Sequence, residues 1–252
     1  RSEDVRMERF FDIFFSGLAL LVLSPLFVPI VLILRFSGEG EIFFLQERIG
    51  KGGEVFKLFK FATMLKDSPN IGTGTVTMKG DPRVLPVGKF LRKTKINELP
   101  QLLNIFFGDM SVIGPRPLTA QTFGSYSADT QEIVKKVRPG LSGIGSIIFR
   151  GEEEIMHGAS ASVDFYDNVI APYKGSLEVW FVSNKGIYIY FLAIFITAWA
   201  VVFPSTKIAW RVFRDLPEPP SELKQALNFI ECVKSPSSSD TSWQSSLTAI
   251  PL

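Results

Sequence analysis

An almost uninterrupted apolar segment over residues 10–34 constrains the fold of this chain more than any other feature of its sequence. Asp12 is the only charged residue in the segment. The segment is long enough for a helix that spans a bilayer, and it is apolar on every face, which is unusual for a helix of a soluble protein. It is also too long and too uniform for the core of a signal peptide. We therefore predict an N-terminal membrane helix.

The middle and the flanks of this segment predict how it enters the membrane. Ser24 and Pro25 mark a predicted break, because proline removes a backbone donor and kinks a helix. Arginines flank the segment on both sides, at positions 6, 9 and 35. Basic residues on both sides favour a re-entrant helix whose two ends lie on the cytoplasmic face. A straight span with a proline kink is the alternative.

A second apolar block, Ile187–Phe203, carries no charge. If the domain between the two blocks is cytoplasmic, a true span would place the cations that follow the block outside, against the positive-inside tendency. A shallow interfacial helix avoids this conflict, and aromatic residues such as Tyr188 and Trp199 suit an interface. A deeper position stays open. The Pro- and Ser-rich residues that follow indicate a polar tail, with a short helix predicted over Ser221–Val233.

Between the two blocks, residues 37–64 indicate a small β-hairpin. Its predicted strands are Glu41–Leu45 and Val55–Phe61, joined by a turn at Gly50–Gly53. We predict that Lys60 lies near a phosphate or the membrane surface, and a solvated amphipathic hairpin is the alternative. Residues 66–80 indicate a loop whose Gly-Thr repeat lacks the spacing and the lysine of a P-loop.

The composition argues against several kinds of chemistry. A single cysteine, Cys232, excludes a disulfide framework and a multi-cysteine metal site. A single histidine, His157, argues against a histidine zinc site and against Ser–His or Cys–His catalysis. Acid–base chemistry must therefore rest on carboxylates, lysine or tyrosine. Nucleic-acid binding is not expected, because the net charge is only +2 and the basic run Lys89–Lys95 has few interleaved aromatic residues.

Residues 81–117 combine carboxylates, a carboxamide and cations among apolar residues, which suits a site for phosphate-bearing molecules. Apolar residues at helical spacing predict a helix over Asn97–Phe107, with Asn97 as its N-cap. The amide groups and positive dipole end of such a helix would suit a phosphate beside Asn97 and Glu98. Arg116 lies between two prolines, which restrict its backbone and hold its guanidinium for bidentate phosphate contact.

A series of short motifs follows one order along the chain from about Arg9 to Arg150. The motifs are Ser24-Pro25, Gln46 to Gly50, Lys60 to Met64, Asp81 to Arg83, Leu91 to Asn104, Gly108 to Pro117, and Arg138 to Gly143. This order resembles that of the bacterial sugar transferase family, the monotopic phosphoglycosyl transferases.

The resemblance implies a reaction, a cofactor and two substrates. Such enzymes move a sugar 1-phosphate from a UDP-sugar to a polyprenyl phosphate in the membrane and release UMP, using Mg²⁺ and an aspartate–glutamate pair. Carried over by motif, Glu98 is the main carboxylate, as general base, Mg²⁺ ligand or nucleophile, and Asp109 is a second metal ligand. The residues expected to neutralise phosphates, as phosphoryl transfer requires, are Lys60, Arg83, Arg92, Arg116 and Arg150.

The sequence departs from the family pattern at two positions. Asn97 occupies the place of the nucleophilic aspartate, and a carboxamide is a poor nucleophile and a weak Mg²⁺ ligand. Ala62 replaces an arginine. The explanations are a natural variant that stays active, a chain disabled by mutation, and a degenerate homologue. We favour the first, because the other site residues are present. The alternative function is a non-catalytic membrane scaffold.

From these patterns and the resemblance we expect an α+β fold that is predominantly helical, with a re-entrant N-terminal membrane helix, a small β-hairpin and amphipathic or interfacial helices. The expected division is a membrane helix over 1–36, a catalytic domain over 37–184, a membrane-associated helix over 185–204 and a tail over 205–252. The expected location is the bacterial inner membrane, in contact with membrane lipids, with the catalytic domain on the cytoplasmic face. A homodimer and the identity of the sugar are left open.

Overall fold

A computed structural model describes residues 2–37, 39–68, 81–150, 163–203, 207–213 and 215–229. Its described part is mostly helical, with two small two-stranded sheets, so the predicted fold class is confirmed. Most of the predicted loop at 66–80, most of the predicted tail, and the residues His157 and Cys232 lie outside the described residues.

Helix α1, Ser2–Phe36, is one continuous helix of 35 residues that runs through Pro25 and Pro29. At about 1.5 Å per residue it is about 50 Å long. By length and composition, it is the one helix among the described residues that could cross a membrane. The predicted N-terminal apolar helix is therefore confirmed. A re-entrant path with a break at Ser24 and Pro25 stays a prediction.

Two antiparallel strands, β1 (Phe43–Ile49) and β2 (Val55–Phe61), form the predicted hairpin. Their register runs from Phe43 opposite Phe61 to Ile49 opposite Val55. Gly52 and Gly53 in the turn have φ angles of 76° and 82°, a region that glycine adopts without strain.

The central stretch forms helix α2 (Pro86–Lys93), a 3-10 turn (Ile96–Glu98) and helix α3 (Gln101–Phe107). The prediction that Asn97 caps α3 is wrong, because Pro100 is the N-cap and no side chain caps this helix end. Lys95 has a φ angle of 60°, and this left-handed residue turns the chain so that Asn97 becomes buried. Gly108, with a φ angle of 105°, ends α3 as expected.

A second, parallel sheet pairs β3 (Ser111–Ile113) with β4 (Gly140–Ser142), and helices α4 (Ala120–Gly124) and α5 (Ala128–Val134) lie between them in sequence. Beyond β3, Gly114 and Gly140 lie in close backbone contact. A Cβ atom on Gly114 would lie 2.5 Å from the Arg138 carbonyl oxygen, and one on Gly140 would lie 2.1 Å from the Gly114 nitrogen. These two glycines therefore hold the turn that contains Arg116 against β4.

Helix α6 (Ile144–Ile148) follows β4. Further along, Val163–Phe165 and a π-helical turn, Tyr166–Ile170, lead without interruption into α7 (Ala171–Asn184). The sequence of residues 164–180 predicts a helix, a turn and a second helix, and this prediction is wrong because the chain is helical throughout. Pro172, which has no N–H group to donate, lies just after the π-helical turn, where the regular α-helical hydrogen-bond pattern is interrupted.

Helix α8, Ile187–Val202, has two different apolar faces. One face is buried against the largest hydrophobic core, which α6 and α7 also line. Its members on α8 are Tyr190, Ala193, Ile196 and Ala200. The opposite face is exposed and includes Tyr188, Phe195 and Trp199. The described chain ends with α9 (Lys207–Val212) and α10 (Ser221–Lys224), the latter shorter than the predicted helix.

Helix α1 packs against the rest of the protein along most of its length. Phe11 and Phe15 contact the core that contains α8. Leu20 and Leu23 contact a second core under β2 and α3, and Ile30 and Leu34 share a third core with Phe61 and Leu91. The apolar helix therefore shares its hydrophobic cores with the elements that follow it.

Candidate active site

Lys60 on β2 lies in the electrostatic field of Glu98 and of three arginines that come from three other elements. The arginines are Arg48 on β1, Arg92 on α2, and Arg116 in the turn after β3, and Glu98 acts on Arg48 as well. The pKa of Lys60 is lowered to about 8, mainly by burial and also by the neighbouring arginines, whereas Glu98 acts in the opposite direction. The structure therefore brings four of the predicted site residues together, namely Lys60, Arg92, Glu98 and Arg116.

Arg48 belongs to this cluster, although the sequence analysis did not select it as a site residue. Its guanidinium donates hydrogen bonds to the Pro117 carbonyl oxygen (3.1 Å) and to Gln46 Oε1 (2.5 Å). Burial, with a contribution from Arg116, lowers the pKa of Arg48 to about 10. The sequence signal for Arg48 was its place in the Gln46 to Gly50 motif. That signal was not sufficient, because the motif lies close to the turn of Arg116 only in the folded chain.

Asn97 lies next to Glu98 in the 3-10 turn, with only 8% of its surface exposed. Its Oδ1 atom is buried and accepts no hydrogen bond from the described part of the chain. A buried acceptor without a donor is unfavourable by about 1–3 kcal/mol. The carboxamide that replaces the expected aspartate therefore has an acceptor atom that the described residues leave unpartnered.

The side chain of Arg116 is exposed, whereas Pro115 and Pro117 on either side are buried. The Arg116 N–H group donates a long hydrogen bond of 3.4 Å to Glu178 Oε1 on α7. This contact links the main chain at Arg116 to α7 while the side chain stays exposed, and the predicted role of the guanidinium in phosphate contact stays a prediction.

Three predicted site residues have other surroundings. Arg83 is buried and donates hydrogen bonds to both carboxylate oxygens of Asp81 and to the Ser68 carbonyl oxygen (2.6 Å). These contacts indicate a structural role, and its phosphate-binding role stays a prediction. Asp109 accepts a hydrogen bond from Asn104 (3.2 Å) beyond the C-terminal end of α3. Arg150 is exposed and follows α6.

The described residues contain no group of three or more His, Cys, Asp or Glu side chains that could hold a metal ion. The cluster instead joins one carboxylate and one free carboxamide oxygen to several fixed cations. Such a group of charges suits a diphosphate, because fixed cations neutralise its oxygens without reorganisation.

Comparisons with known proteins agree with this chemistry. Residues 3–204 match the family described as bacterial sugar transferase. The chain is 38% identical over 159 residues to the exopolysaccharide production protein ExoY of Sinorhizobium fredii, a match that covers 58% of this chain and 70% of that relative.

Two further relatives are named as phosphotransferases. One is the UDP-glucose:undecaprenyl-phosphate glucose-1-phosphate transferase of Escherichia coli, which is 35% identical over 192 residues, or 75% of this chain and 39% of that relative. The other is the UDP-N-acetylgalactosamine-undecaprenyl-phosphate N-acetylgalactosaminephosphotransferase of Aeromonas hydrophila, which is 32% identical over 193 residues, or 76% of this chain and 42% of that relative. The matched region therefore spans less than half of these two longer proteins. The match to the family across residues 3–204 confirms the resemblance, and this chain belongs to the bacterial sugar transferase family.

Proposed function

We propose that this chain transfers a sugar 1-phosphate from a UDP-sugar to a polyprenyl phosphate, releases UMP, and so performs the first membrane step of glycan assembly. The observation that carries the proposal is the cluster in which Lys60 lies in the field of Glu98 and of three arginines, with the unpartnered oxygen of Asn97 next to Glu98 in sequence. The names of the Escherichia coli and Aeromonas hydrophila relatives support the reaction, and the name of ExoY supports an exopolysaccharide as the glycan.

In this reaction the Glu98 carboxylate attacks the β-phosphorus of the UDP-sugar. The bond from that phosphorus to the bridging oxygen breaks, and UMP leaves with the electron pair. A phosphate oxygen of the polyprenyl phosphate then attacks the same phosphorus and displaces the carboxylate. Arg48, Lys60 and Arg116 hold the phosphate oxygens during both steps. A single direct attack by the polyprenyl phosphate is the second route.

Mg²⁺ is the metal ion in this proposal. Mg²⁺ is usually held by one or two carboxylates together with the phosphates of the substrate. Glu98 supplies one such carboxylate and would hold the ion, with the Oδ1 atom of Asn97 as a weaker, neutral ligand; when bound, the ion would neutralise part of the diphosphate charge. Asp109, which the sequence suggested as the second ligand, accepts a hydrogen bond from Asn104, and its role as a metal ligand stays a prediction.

The packing of α1 supports a re-entrant path and a location on one face of the membrane. Near the start of α1, Arg9 donates hydrogen bonds to the carbonyl oxygens of Ile105 (2.6 Å) and Phe106 (2.7 Å). Near its end, Leu34 packs with Phe61. A straight span would carry one end of α1 away from this domain. Since UDP-sugars are made in the cytosol, we assign the domain to the cytoplasmic face of the bacterial inner membrane.

The two faces of α8 support an interfacial position for this helix. Its 16 residues extend over about 24 Å, which is less than the roughly 30 Å of a bilayer's hydrocarbon core. One face is committed to the protein core, so the opposite, exposed face contacts membrane lipids.

A direct assay tests the proposed activity. The purified chain in nanodiscs is supplied with polyprenyl phosphate, Mg²⁺ and a panel of UDP-sugars, and release of UMP is measured. We expect UMP from at least one donor, and a loss of about a hundredfold or more in Glu98→Gln. Glu132→Gln, an exposed change on α5, is the matched control and should keep full activity.

Absence of UMP release with every donor would overturn the proposed reaction. It would support the second candidate, a non-catalytic scaffold that binds the lipid carrier or partner glycosyltransferases, for which Asn97 at the nucleophile position is the favouring observation. Light scattering of the detergent-solubilised chain decides whether a second copy is a partner.

A further inference from the structure

Glu178 is a buried acid on α7 that the proposed reaction does not use. Only 2% of its surface is exposed, and its Oε2 atom has no hydrogen-bond partner among the described residues. Its Oε1 atom lies 3.4 Å from the backbone nitrogen of Arg116. Glu178 therefore contacts the main chain of Arg116, one of the three arginines that act on Lys60.

The structure leaves room for this carboxyl at one specific position. A Cβ atom on Gly145, in the first turn of α6, would lie 2.5 Å from Glu178 Oε1. The absence of a side chain at Gly145 lets the carboxyl reach the turn of Arg116. On the other side of this turn, Gly114 packs against Arg138 and Gly140. The main chain of Arg116 is thus held between β4 and the Glu178 carboxyl.

The charge of Glu178 also opposes the excess positive charge of the cluster. Arg116 lowers the pKa of Arg48, and it lies in the field of Glu178 on its other side. Lys174, one helical turn before Glu178, is the other cation that acts on this carboxyl. A buried charge is expensive, and an apolar residue would usually be at least as stable at such a position. Placement of a carboxyl here therefore indicates a role other than stability.

We propose that Glu178 is a positioning residue for Arg116: it fixes the Arg116 main chain and balances its charge, so that the guanidinium is held ready for the diphosphate. This inference rests on the proposed function. Glu178 does not touch the substrate and acts only through Arg116. Its effect should consequently disappear when the Arg116 side chain is absent.

A double-mutant cycle on the complete chain in nanodiscs tests this role, with UDP as the probe and calorimetry at about pH 8 as the binding measurement. Burial raises the pKa of Glu178 to about 7, so the carboxyl is ionised under these conditions. We expect Glu178→Gln to weaken UDP binding about tenfold, and to have no further effect in the Arg116→Ala background. The control Glu132→Gln should bind UDP as the parent does.

Gly145→Ala provides a second route if Glu178→Gln does not fold, because it displaces the carboxyl without removing it. It should also weaken UDP binding in the parent and have no further effect in Arg116→Ala. Equal effects of either change with and without the Arg116 side chain would overturn the positioning role, since a purely structural role is additive. A parent that neither binds UDP nor releases UMP would overturn the proposed function and this inference together.

Discussion

The Tyr190 hydroxyl on α8 donates a hydrogen bond of 2.9 Å to Asp12 Oδ1 on α1, and both side chains are buried. The same oxygen accepts hydrogen bonds from Ser111 Oγ (3.0 Å) and from the Val112 backbone nitrogen (2.9 Å) on β3. A single carboxylate oxygen thus joins both apolar helices to the sheet that precedes the turn of Arg116.

Asp12→Ala should destabilise the protein strongly, because it leaves three buried donors without an acceptor. We expect the free energy of unfolding to fall by about 3 kcal/mol, and by only about 1 kcal/mol in Tyr190→Phe, which removes a single hydrogen bond. Denaturant unfolding in detergent measures both values. Glu3→Ala, an exposed change on the same helix, is the control. Equal losses in Asp12→Ala and Glu3→Ala would contradict this account.

Asn97→Asp should increase the rate of UMP release. The new carboxylate would lie in the field of Lys60 and Arg48, which stabilises its charged, nucleophilic form. We expect an increase of about tenfold or more, together with a burst of UMP in the absence of polyprenyl phosphate. Rapid-quench measurement of UMP tests this, with Asn97→Ala as the matched variant that should show no increase.

The same burst experiment on the parent separates the two routes of the proposed reaction. Attack by Glu98 releases UMP before the acceptor is added, whereas direct attack by polyprenyl phosphate does not. An unchanged or lower rate in Asn97→Asp would mean that the carboxamide is itself adapted to this site.

UDP binding should depend on pH through Lys60. Its pKa is lowered to about 8, mainly by burial, so the ammonium of the free site loses its proton as the pH rises through that value. A bound diphosphate favours the charged form, so UDP affinity should fall between about pH 7 and about pH 9. The Lys60→Arg variant keeps its charge, so its affinity for UDP should be the same at every pH in this range. Calorimetry in two buffers of different ionisation enthalpy would also detect the proton that Lys60 takes up when UDP binds. A UDP affinity that does not change with pH in the parent would contradict the role of Lys60.

Stability should also depend on pH through Glu178. Burial raises its pKa from 4.5 to about 7, so the folded protein holds a proton that the unfolded chain releases in this interval. The contribution of Glu178 to the free energy of unfolding is therefore fully present below about pH 4.5 and is lost as the pH rises through about 7. The difference between the two limits is roughly 3 kcal/mol. Glu178→Gln should remove this loss and melt at a higher temperature than the parent at about pH 8. The same change of melting temperature in the two proteins between about pH 5 and about pH 8 would contradict this prediction.

The exposed face of α8 should be accessible to lipid chains. Trp199 and Phe195 belong to this face, and 39% of the surface of Trp199 is exposed. We expect brominated phospholipids in nanodiscs to quench the fluorescence of Trp199. Trp199→Phe should remove most of the quenched emission, whereas Trp210→Phe, at a buried position, should leave it in place. The opposite pattern would exclude contact between α8 and lipid.

Local patterns were sufficient to predict the hairpin and the apolar helix. Glycines at the turn and β-forming residues on either side define β1 and β2, and the long apolar run, in which Asp12 is the only charge, defines α1. The cap at Asn97 was predicted wrongly because a left-handed residue, Lys95, and a buried 3-10 turn decide that geometry, and neither has a clear local signal.

The cluster around Glu98 could be predicted only in part. Lys60, Arg92 and Arg116 lie in motifs that the resemblance identified. Arg48 and Glu178 were missed because their roles depend on contacts across 69 and 62 positions of sequence, with Pro117 and Arg116. Spacing along the chain carries no information on such contacts. A single acid within an otherwise apolar part of α7 was the only local sign of Glu178.

The packing of α1 against the other elements links maturation of the enzyme to the bilayer. The cores beneath Leu58 on β2 and Ile105 on α3 are completed by apolar residues of α1, whose remaining surface is exposed and apolar. In a newly made copy that has not inserted into the membrane, the exposed apolar surface of α1 would face water. The hydrophobic core beneath β2, the strand of Lys60, would then be incomplete. If the proposed function holds, competence to bind the sugar donor arises together with access to the lipid carrier.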